Sequence, residues 1–177
     1  MKFSRIATVL MLGFALCLWV TGCGQRPPRD VPVTFALGGK LHVFASPDHL
    51  AQAGLPQDAK TFIIGTGAIA DKAIDLGEGV QTIQRLKIKI TYEYHADTSN
   101  NPATLEFVIK DSDGKSIGAP LTQDFRPSTR NTQLDNEFVF DINRAYTKRD
   151  VTIQVKPVSA GDFGFFIYAL SGTLTVR

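Results

Sequence analysis

A two-residue alternation of apolar and polar side chains dominates the middle of this chain. Residues 86–95 read LKIKITYEYH, so that every second position is Leu, Ile or Tyr. Successive side chains of an extended strand point to opposite faces, and this segment therefore has one apolar and one polar face. It predicts a long strand that packs one face on a core. The alternation slips by one residue at Gln84 and Arg85, which predicts a β-bulge just before Leu86.

The same pattern predicts further strands, and turn sequences separate them. Alternating or short apolar segments occupy residues 31–36, 40–45, 61–64, 105–110, 138–142, 151–155 and 170–177. Asp113-Gly114 suits a tight hairpin, and so does the LGGK sequence of residues 37–40. Residues 99–102, SNNP, form a polar loop.

One short helix is predicted among these strands. Ser46 can cap it, Pro47 suits its first turn, and Gly54 followed by Pro56 can end it. A second short turn is predicted at residues 143–146.

Eight or more strands with one-sided alternation favour an all-β fold, namely a two-sheet antiparallel β-sandwich with one short helix. Within that class the pattern resembles a jelly roll of the carbohydrate-binding or galactose-binding-like kind. The alternative is an immunoglobulin-like sandwich, although its Cys…Trp…Cys core is absent.

The amino terminus has the three-part layout of a secretory signal. Lys2 and Arg5 form a basic start, residues 6–20 are largely apolar, and VTGC ends at Cys23. The apolar segment is short for a membrane-spanning helix. The VTGC sequence resembles the lipobox of bacterial lipoproteins. The resemblance implies cleavage before Cys23 and attachment of acyl chains to its sulfur and its new amino group.

Cleavage would change what the composition means. Removing the first 22 of 177 residues leaves 155, with residues 23–30 as lipidated cysteine and tether and residues 31–177 as one β-sandwich domain. Loss of Lys2 and Arg5 reduces the 19 basic residues to 17, which equals the 17 acidic ones. The mature charge therefore gives no support for nucleic-acid binding. Cys17 also leaves with the signal, so Cys23 would be the only cysteine, which excludes an internal disulfide and thiolate zinc sites.

The acyl chains would hold the protein on a membrane, since each buried CH₂ adds about 0.8 kcal/mol of affinity. Position 24 is glycine. In enteric-type lipoproteins an aspartate there retains the protein in the inner membrane. The resemblance therefore implies an outer-membrane location, facing the periplasm or the cell surface.

No motif of the chain predicts catalysis, a metal or a cofactor. Residues 65–70, GTGAIA, fit a dinucleotide fingerprint in letters, but an amphipathic strand follows where a helix is needed, so a bend is expected. Residues 111–114, DSDG, begin like a calcium loop, but Lys115 stands where an oxygen ligand is needed. His42 and His95 fall in polar strand phases and are expected to face solvent, as is His49. A glycosidase-type carboxylate pair is possible only if folding brings two carboxylates together.

Two segments are candidate contact surfaces. Residues 143–150 place Arg144, Lys148 and Arg149 around Tyr146 and could contact an anionic partner. Residues 163–168, FGFFIY, carry adjacent Phe165 and Phe166, which must point to opposite faces of a strand.

The sequence as a whole therefore predicts a lipid-anchored envelope protein with a non-catalytic sandwich. The first hypothesis is an accessory or assembly subunit that docks a protein partner. The alternative is a module that binds a glycan or other envelope polymer, and a glycoside hydrolase-type enzyme is third.

Overall fold

The structure, a computed structural model, describes residues 26–56, 58–95, 100–126 and 132–177. The predicted signal peptide and Cys23 lie outside these residues. The described residues form ten strands and one helix, in the order β1 (Arg29–Thr34), β2 (Leu41–Phe44), α1 (Pro47–Gln52), β3 (Lys60–Ile63), β4 (Ala70–Asp75), β5 (Thr82–Tyr94), β6 (Ala103–Asp111), β7 (Leu121–Phe125), β8 (Leu134–Ala145), β9 (Asp150–Ala160) and β10 (Gly164–Val176). None of the described helices is long and apolar enough to cross a membrane.

The strands form two sheets that pack face to face. The six-stranded sheet has the order β3-β2-β10-β5-β8, and β1 also pairs with β10. The four-stranded sheet has the order β4-β9-β6-β7. All pairs are antiparallel except β2 with β3, which are parallel.

The strand pairing is that of a jelly roll. The outermost pair is β2 with β10, followed by β4 with β9, β5 with β8 and finally β6 with β7. If the additional strand β3 is left out, each pair joins strands symmetrically placed about the β6–β7 hairpin, as in a long hairpin rolled into two sheets. The predicted fold class is therefore confirmed.

The core lies between the sheets and follows the alternation of β5. Leu86, Ile88 and Ile90 are at most 2% exposed, and Tyr92 and Tyr94 are fully buried. The Tyr94 hydroxyl donates to the carbonyl of Phe125 at 2.8 Å and accepts from the amide of Ala103 at 2.7 Å. This buried hydroxyl thus connects the two sheets, and burial raises its pKa to about 12, which keeps it protonated.

Several local predictions are confirmed. The register of β5 against β8 shifts between Ile83 and Arg85, where the bulge was expected. Ser46 caps α1 by accepting from the His49 amide at 3.3 Å, and Pro47 lies in the first turn. The Gly114 amide closes the predicted turn by donating to Asp111 at 2.9 Å.

Two local predictions are wrong. Residues 37–40 do not form a hairpin, because β1 and β2 do not pair with each other. They lie one after the other along the same edge of β10, from Arg29 opposite Val176 to Phe44 opposite Gly164. The turn expected at residues 143–146 is also absent from the described chain, since β8 continues to Ala145 with only a local positive φ of 45° at Asn143.

The two ends of the sandwich have different chemistry. At one end, β2, β5 and β10 pack against α1. We call this the aromatic end and define it by the following residues: His42, Phe44, His95, Phe163 and Phe166. At the other end, the described chain begins and terminates. This is the basic end, defined by the following residues: Arg26, Arg29, Lys115, Arg144, Lys148, Arg149 and Arg177.

Candidate ligand-binding site

The pairing of β2 with β10 builds a cluster of rings at the aromatic end. His42 lies opposite Phe166 and Phe44 lies opposite Gly164, so these side chains share the outer face of the six-stranded sheet. The ring centroids of His42 and Phe166 are 4.4 Å apart. His95, which follows β5, lies 3.8 Å from Phe166 and 4.6 Å from Phe44. The outer face of the sheet is therefore apolar at this end.

Helix α1 covers part of this cluster. Its His49 ring stacks on Phe163 at a centroid distance of 4.9 Å, and Phe163 meets Phe44 edge-on at 6.0 Å. Gly164 makes this packing possible, because a Cβ there would lie 3.1 Å from the Phe44 ring and 3.0 Å from His95. The short helix is thus held to the sheet by ring contacts.

A cleft of about 360 Å³ opens between the end of α1 and the sheet. Its described lining residues come from four parts of the chain, namely Lys40, Gln52, Ala53, Leu55, Glu93, Tyr94, His95, Phe163 and Phe166. The Lys40 ammonium lies 3.5 Å from the Phe166 centroid and 4.9 Å from the Tyr168 centroid. These are cation–π distances, so Lys40 is positioned over the two partly exposed rings.

The polar groups of the cleft are held in place. The Tyr168 hydroxyl donates to Oε2 of Glu93 at 2.5 Å, and Glu93 is only 8% exposed. Burial, and then this hydrogen bond to the Glu93 carboxylate, raises the pKa of Tyr168 to about 12. Tyr168 therefore stays a neutral donor and holds the Glu93 side chain in place.

A second cleft continues along the same face of the sheet. It has a volume of about 450 Å³, and its polar lining includes Thr91, Asp135, Glu137 and Ser171. Thr91 pairs with Ala169, immediately beyond Tyr168 on β10, so the two clefts adjoin. The trough denotes these two neighbouring clefts taken together, one lined by aromatic rings and the other by hydroxyl and carboxylate groups.

His42 does not face solvent as the alternation predicted, whereas His49 and His95 are partly exposed. His42 is only 7% exposed, because α1 and the neighbouring rings cover the outer face of β2. Burial, and then the nearby Lys40 charge, lowers the pKa of His42. The buried Nδ1 atoms of His42 and His49 have no hydrogen-bond partner. A polar residue in an alternating strand is predicted to lie on the outer face, but the alternation does not show whether another element covers that face.

The predicted basic contact loop lies at the opposite end, and most of its side chains are already engaged. Tyr146 is 6% exposed, and its hydroxyl donates to the Asp150 carbonyl. Lys148 contacts Asp111 and Asp113, and Arg149 contacts Asp75. The prediction that Tyr146 is a surface contact is therefore corrected, since its ring packs in the core. Arg144 remains exposed.

The two predicted phenylalanines separate as expected for adjacent strand residues. Phe165 is fully buried between the sheets, which removes it as a direct contact. Phe166 points to the outer face and lines the aromatic cleft. Of the six predicted contact residues, only Phe166 belongs to this cleft. Reasoning from sequence missed Lys40, Glu93 and His95 because β2 and β5 meet β10 only in the folded sheet.

The motifs that resembled ligand sites serve as turns. Asp111 Oδ1 accepts from the amides of Asp113 and Lys115, and Lys148 Nζ lies 2.9 Å from Asp111 Oδ2. The ammonium thus occupies the position that a cation would take between Asp111 and Asp113. Among the described residues, no group of three or more His, Cys, Asp or Glu side chains could hold a metal ion. At residues 65–70 the chain turns into β4, without the helix that a dinucleotide site needs.

No protein-family model and no curated protein sequence matches this chain. Solved structures with a similar strand arrangement include the xylan-binding module CBM15, with 18% identity, a TM-score of 0.38, and 61% of this chain and 72% of that chain covered. Eiger TNF from S. frugiperda has 10% identity and a TM-score of 0.42, covering 86% of this chain and 94% of that one.

An arabinose-bound GH51 α-L-arabinofuranosidase has 9% identity and a TM-score of 0.37. The match covers 61% of this chain but only 21% of the arabinofuranosidase. These TM-scores are all below 0.5, so the similarities indicate nothing about the ligand of this chain.

Proposed function

We propose that this chain is a lipid-anchored, non-catalytic binding module of the bacterial envelope, and that its aromatic-end cleft binds a glycan. The observation that supports this is the combination of partly exposed Phe166 and Tyr168 rings with the fixed polar groups of Lys40 and Glu93. Sugar rings offer apolar C–H faces to aromatic side chains, and their hydroxyls use nearby charged or polar groups.

The length of the trough favours an extended ligand. The aromatic cleft and the adjoining cleft have volumes of about 360 and 450 Å³, each within the usual size of a small-ligand site. A polymer of sugars could place one ring on Phe166 and its next units near Thr91 and Ser171. A single small metabolite would use only one of the clefts.

Binding without catalysis is the better match to the carboxylates. Glycoside hydrolysis generally needs two carboxyl groups across the scissile bond. Glu93 is the one carboxylate among the described residues that line the aromatic cleft, and it accepts a hydrogen bond from Tyr168. In the adjoining cleft, Glu137 is paired with Lys87 and Lys89, and Asp135 accepts a hydrogen bond from Thr91. The proposal therefore assigns Glu93 to ligand positioning.

Docking of a protein partner is the second candidate function, and the edge strand β8 favours it. β8 is twelve residues long and, among the described strands, pairs only with β5, so one side of its backbone can accept another strand. Val139 on this strand is 47% exposed. Its neighbours Glu137 and Asp141 are charged and oppose non-specific pairing.

The test is retention of the full-length protein, in detergent, on insoluble xylan, cellulose and peptidoglycan sacculi. We expect retention on at least one polymer, and Phe166→Ala should weaken it about tenfold, because loss of an aromatic contact costs about 1 kcal/mol or more. Lys40→Gln, a change of an exposed side chain, should weaken it without altering the fold. Val158→Ala is the matched control, since Val158 is 52% exposed on the other sheet.

Circular dichroism would verify that each variant is folded. Absence of retention on all three polymers would reject the glycan proposal, as would unchanged retention of both Phe166→Ala and Lys40→Gln. Capture of a protein that requires the β8 edge would then favour the second candidate.

A further inference from the structure

The start of the described chain is attached to the basic end. Arg26 Nη1 donates to the carbonyl of Glu78 at 3.0 Å, and Arg29 donates to the carbonyl of Leu76. Both acceptors belong to the loop between β4 and β5, residues 76–81. Because β1 begins at Arg29, this loop fixes the chain three residues before the first strand.

Two glycines shape the loop for these arginines. Gly77 and Gly79 have φ angles of 70° and 73°, a region that side chains rarely adopt. A Cβ on Gly79 would lie 2.6 Å from Arg26 Nη1, and one on Gly77 would lie 3.1 Å from Arg29 Nη2. A side chain at Gly79 would displace the Arg26 guanidinium from its observed place, and one at Gly77 would crowd that of Arg29.

This attachment shortens the predicted tether. Only Gly24 and Gln25 separate Cys23 from Arg26. Three residue steps span at most about 11 Å, since an extended chain covers roughly 3.6 Å per residue. If Cys23 is acylated, as in the proposed function, the basic end must lie within that distance of the lipid headgroups.

The exposed charges of this end suit an anionic surface. Lys148 and Arg149 are paired with carboxylates, whereas Lys115 and Arg144 are exposed. Arg26 and Arg29 donate to carbonyls, so their positive charges are retained. The carboxylates at this end are Asp30, Asp75, Glu78, Asp111, Asp113 and Asp150. Of these, Asp75, Asp111 and Asp113 are paired with Arg149 or Lys148, and Asp30 accepts a hydrogen bond from Thr175.

The basic end also contains a small cleft beside Arg26, the first described residue. It has a volume of about 180 Å³ and is lined by Arg26, Gly79, Gln81 and Arg177. Two guanidinium groups and an amide are suitable donors for a phosphate group.

We propose that the basic end is a membrane-facing surface that binds anionic phospholipid headgroups and orients the domain. This inference rests on the lipid anchor of the proposed function. Each basic residue close to an anionic surface strengthens binding about fivefold, so Lys115, Arg144 and Arg26 together can bias the orientation of a protein already held by its acyl chains. The aromatic cleft then points away from the bilayer.

The experiment uses the full-length acylated protein in phosphatidylcholine vesicles with and without phosphatidylglycerol. Acylation blocks Cys23, so a single new cysteine can carry a fluorophore at Thr147→Cys, on the basic end, or at Ala51→Cys, on α1. Lipids with a nitroxide on the headgroup quench a fluorophore that lies at the membrane surface. We expect quenching at position 147 that increases with phosphatidylglycerol, and little quenching at position 51.

Charge-reversal variants test whether the basic side chains cause the quenching at position 147. Lys115→Glu combined with Arg144→Glu should reduce quenching at position 147 in the anionic vesicles to the level found in neutral ones. Lys72→Glu, an equally exposed change on β4, is the control and should leave quenching unaltered. Equal quenching at both positions, or quenching insensitive to phosphatidylglycerol and charge reversal, would overturn the proposal.

Mass spectrometry of the amino-terminal peptide distinguishes a failure of the lipid anchor from a failure of the proposed orientation. A protein without acyl chains at Cys23 that stays off the vesicles would overturn both the lipid anchor and the orientation. An acylated, vesicle-bound protein without the position-dependent quenching would overturn the orientation alone.

Discussion

The aromatic end and the basic end use the same long strands for different chemistry. On the outer face of β5, Glu93 and His95 lie among rings at one end, whereas Arg85 and Lys87 contact Asp141 and Glu137 towards the other. Contacts at the aromatic end are largely ring packing, which shapes a cleft. Contacts at the basic end are ion pairs and turns, which leave an exposed charged surface. Under the proposed function, ligand binding and membrane attachment would use opposite ends of one sandwich.

The largest expected effect comes from the core that both ends share. Ile88→Asp would bury a charge at a fully buried position and should lower the free energy of unfolding by several kcal/mol. Lys89→Asp, one residue further, changes a side chain that is 63% exposed and should cost about 1 kcal/mol or less. Urea denaturation monitored by circular dichroism measures both. Equal midpoints would show that the two faces of β5 are assigned incorrectly.

A smaller effect should distinguish the two ends. Phe44 is fully buried among the rings, so Phe44→Ala should cost about 3–5 kcal/mol and loosen α1. Tyr146→Phe removes only the hydrogen bond to the Asp150 carbonyl and should cost about 1 kcal/mol. Urea midpoints give the costs, and hydrogen exchange shows where amides become less protected. If Tyr146→Phe were the costlier change, the two ends would be stabilised differently from our description.

The smallest effects concern pH, and the ends should respond in different ranges. Burial lowers the pKa of His42 below 6.5, so the unfolded chain binds more protons just below that pH. Stability should therefore fall as the pH falls below about 6.5, and His42→Gln should remove that dependence.

At the basic end, the hydrogen bond from Arg149 lowers the pKa of Asp75 to about 2. The contribution of Asp75 to the free energy of unfolding is present above pH 3.8 and is lost as the pH falls towards 2. Thermal unfolding at a series of pH values measures both, with Asp75→Asn as the counterpart of His42→Gln. A pH dependence between 5 and 7 that persists in His42→Gln would assign it to another group.

The fold was predictable because its signals are local. The alternation of β5, its bulge at Arg85 and the Ser46 cap each depend on neighbouring residues and were confirmed. The strands β4 and β7 were not predicted. Both are short edge strands, and each places only one buried side chain in the core, Ile74 and Phe125 respectively.

The candidate sites were less predictable because they depend on distant parts of the chain. Lys148 and Arg149 look like an exposed basic loop, but their partners Asp111 and Asp75 are 37 and 74 residues away. His42 is covered by elements that sequence periodicity does not place. Only Phe166 was recognisable, because two adjacent phenylalanines cannot share one face of a strand.

The most direct test of the separation between the ends compares glycan affinity in two environments. The full-length acylated protein would be titrated with a soluble fragment of the polymer that retains it, first in detergent and then in vesicles containing phosphatidylglycerol. If the aromatic end binds the glycan while the basic end faces the lipid, the two Kd values should agree within about twofold. Loss of glycan binding on vesicles, with binding intact in detergent, would contradict the account by placing ligand and membrane on the same surface.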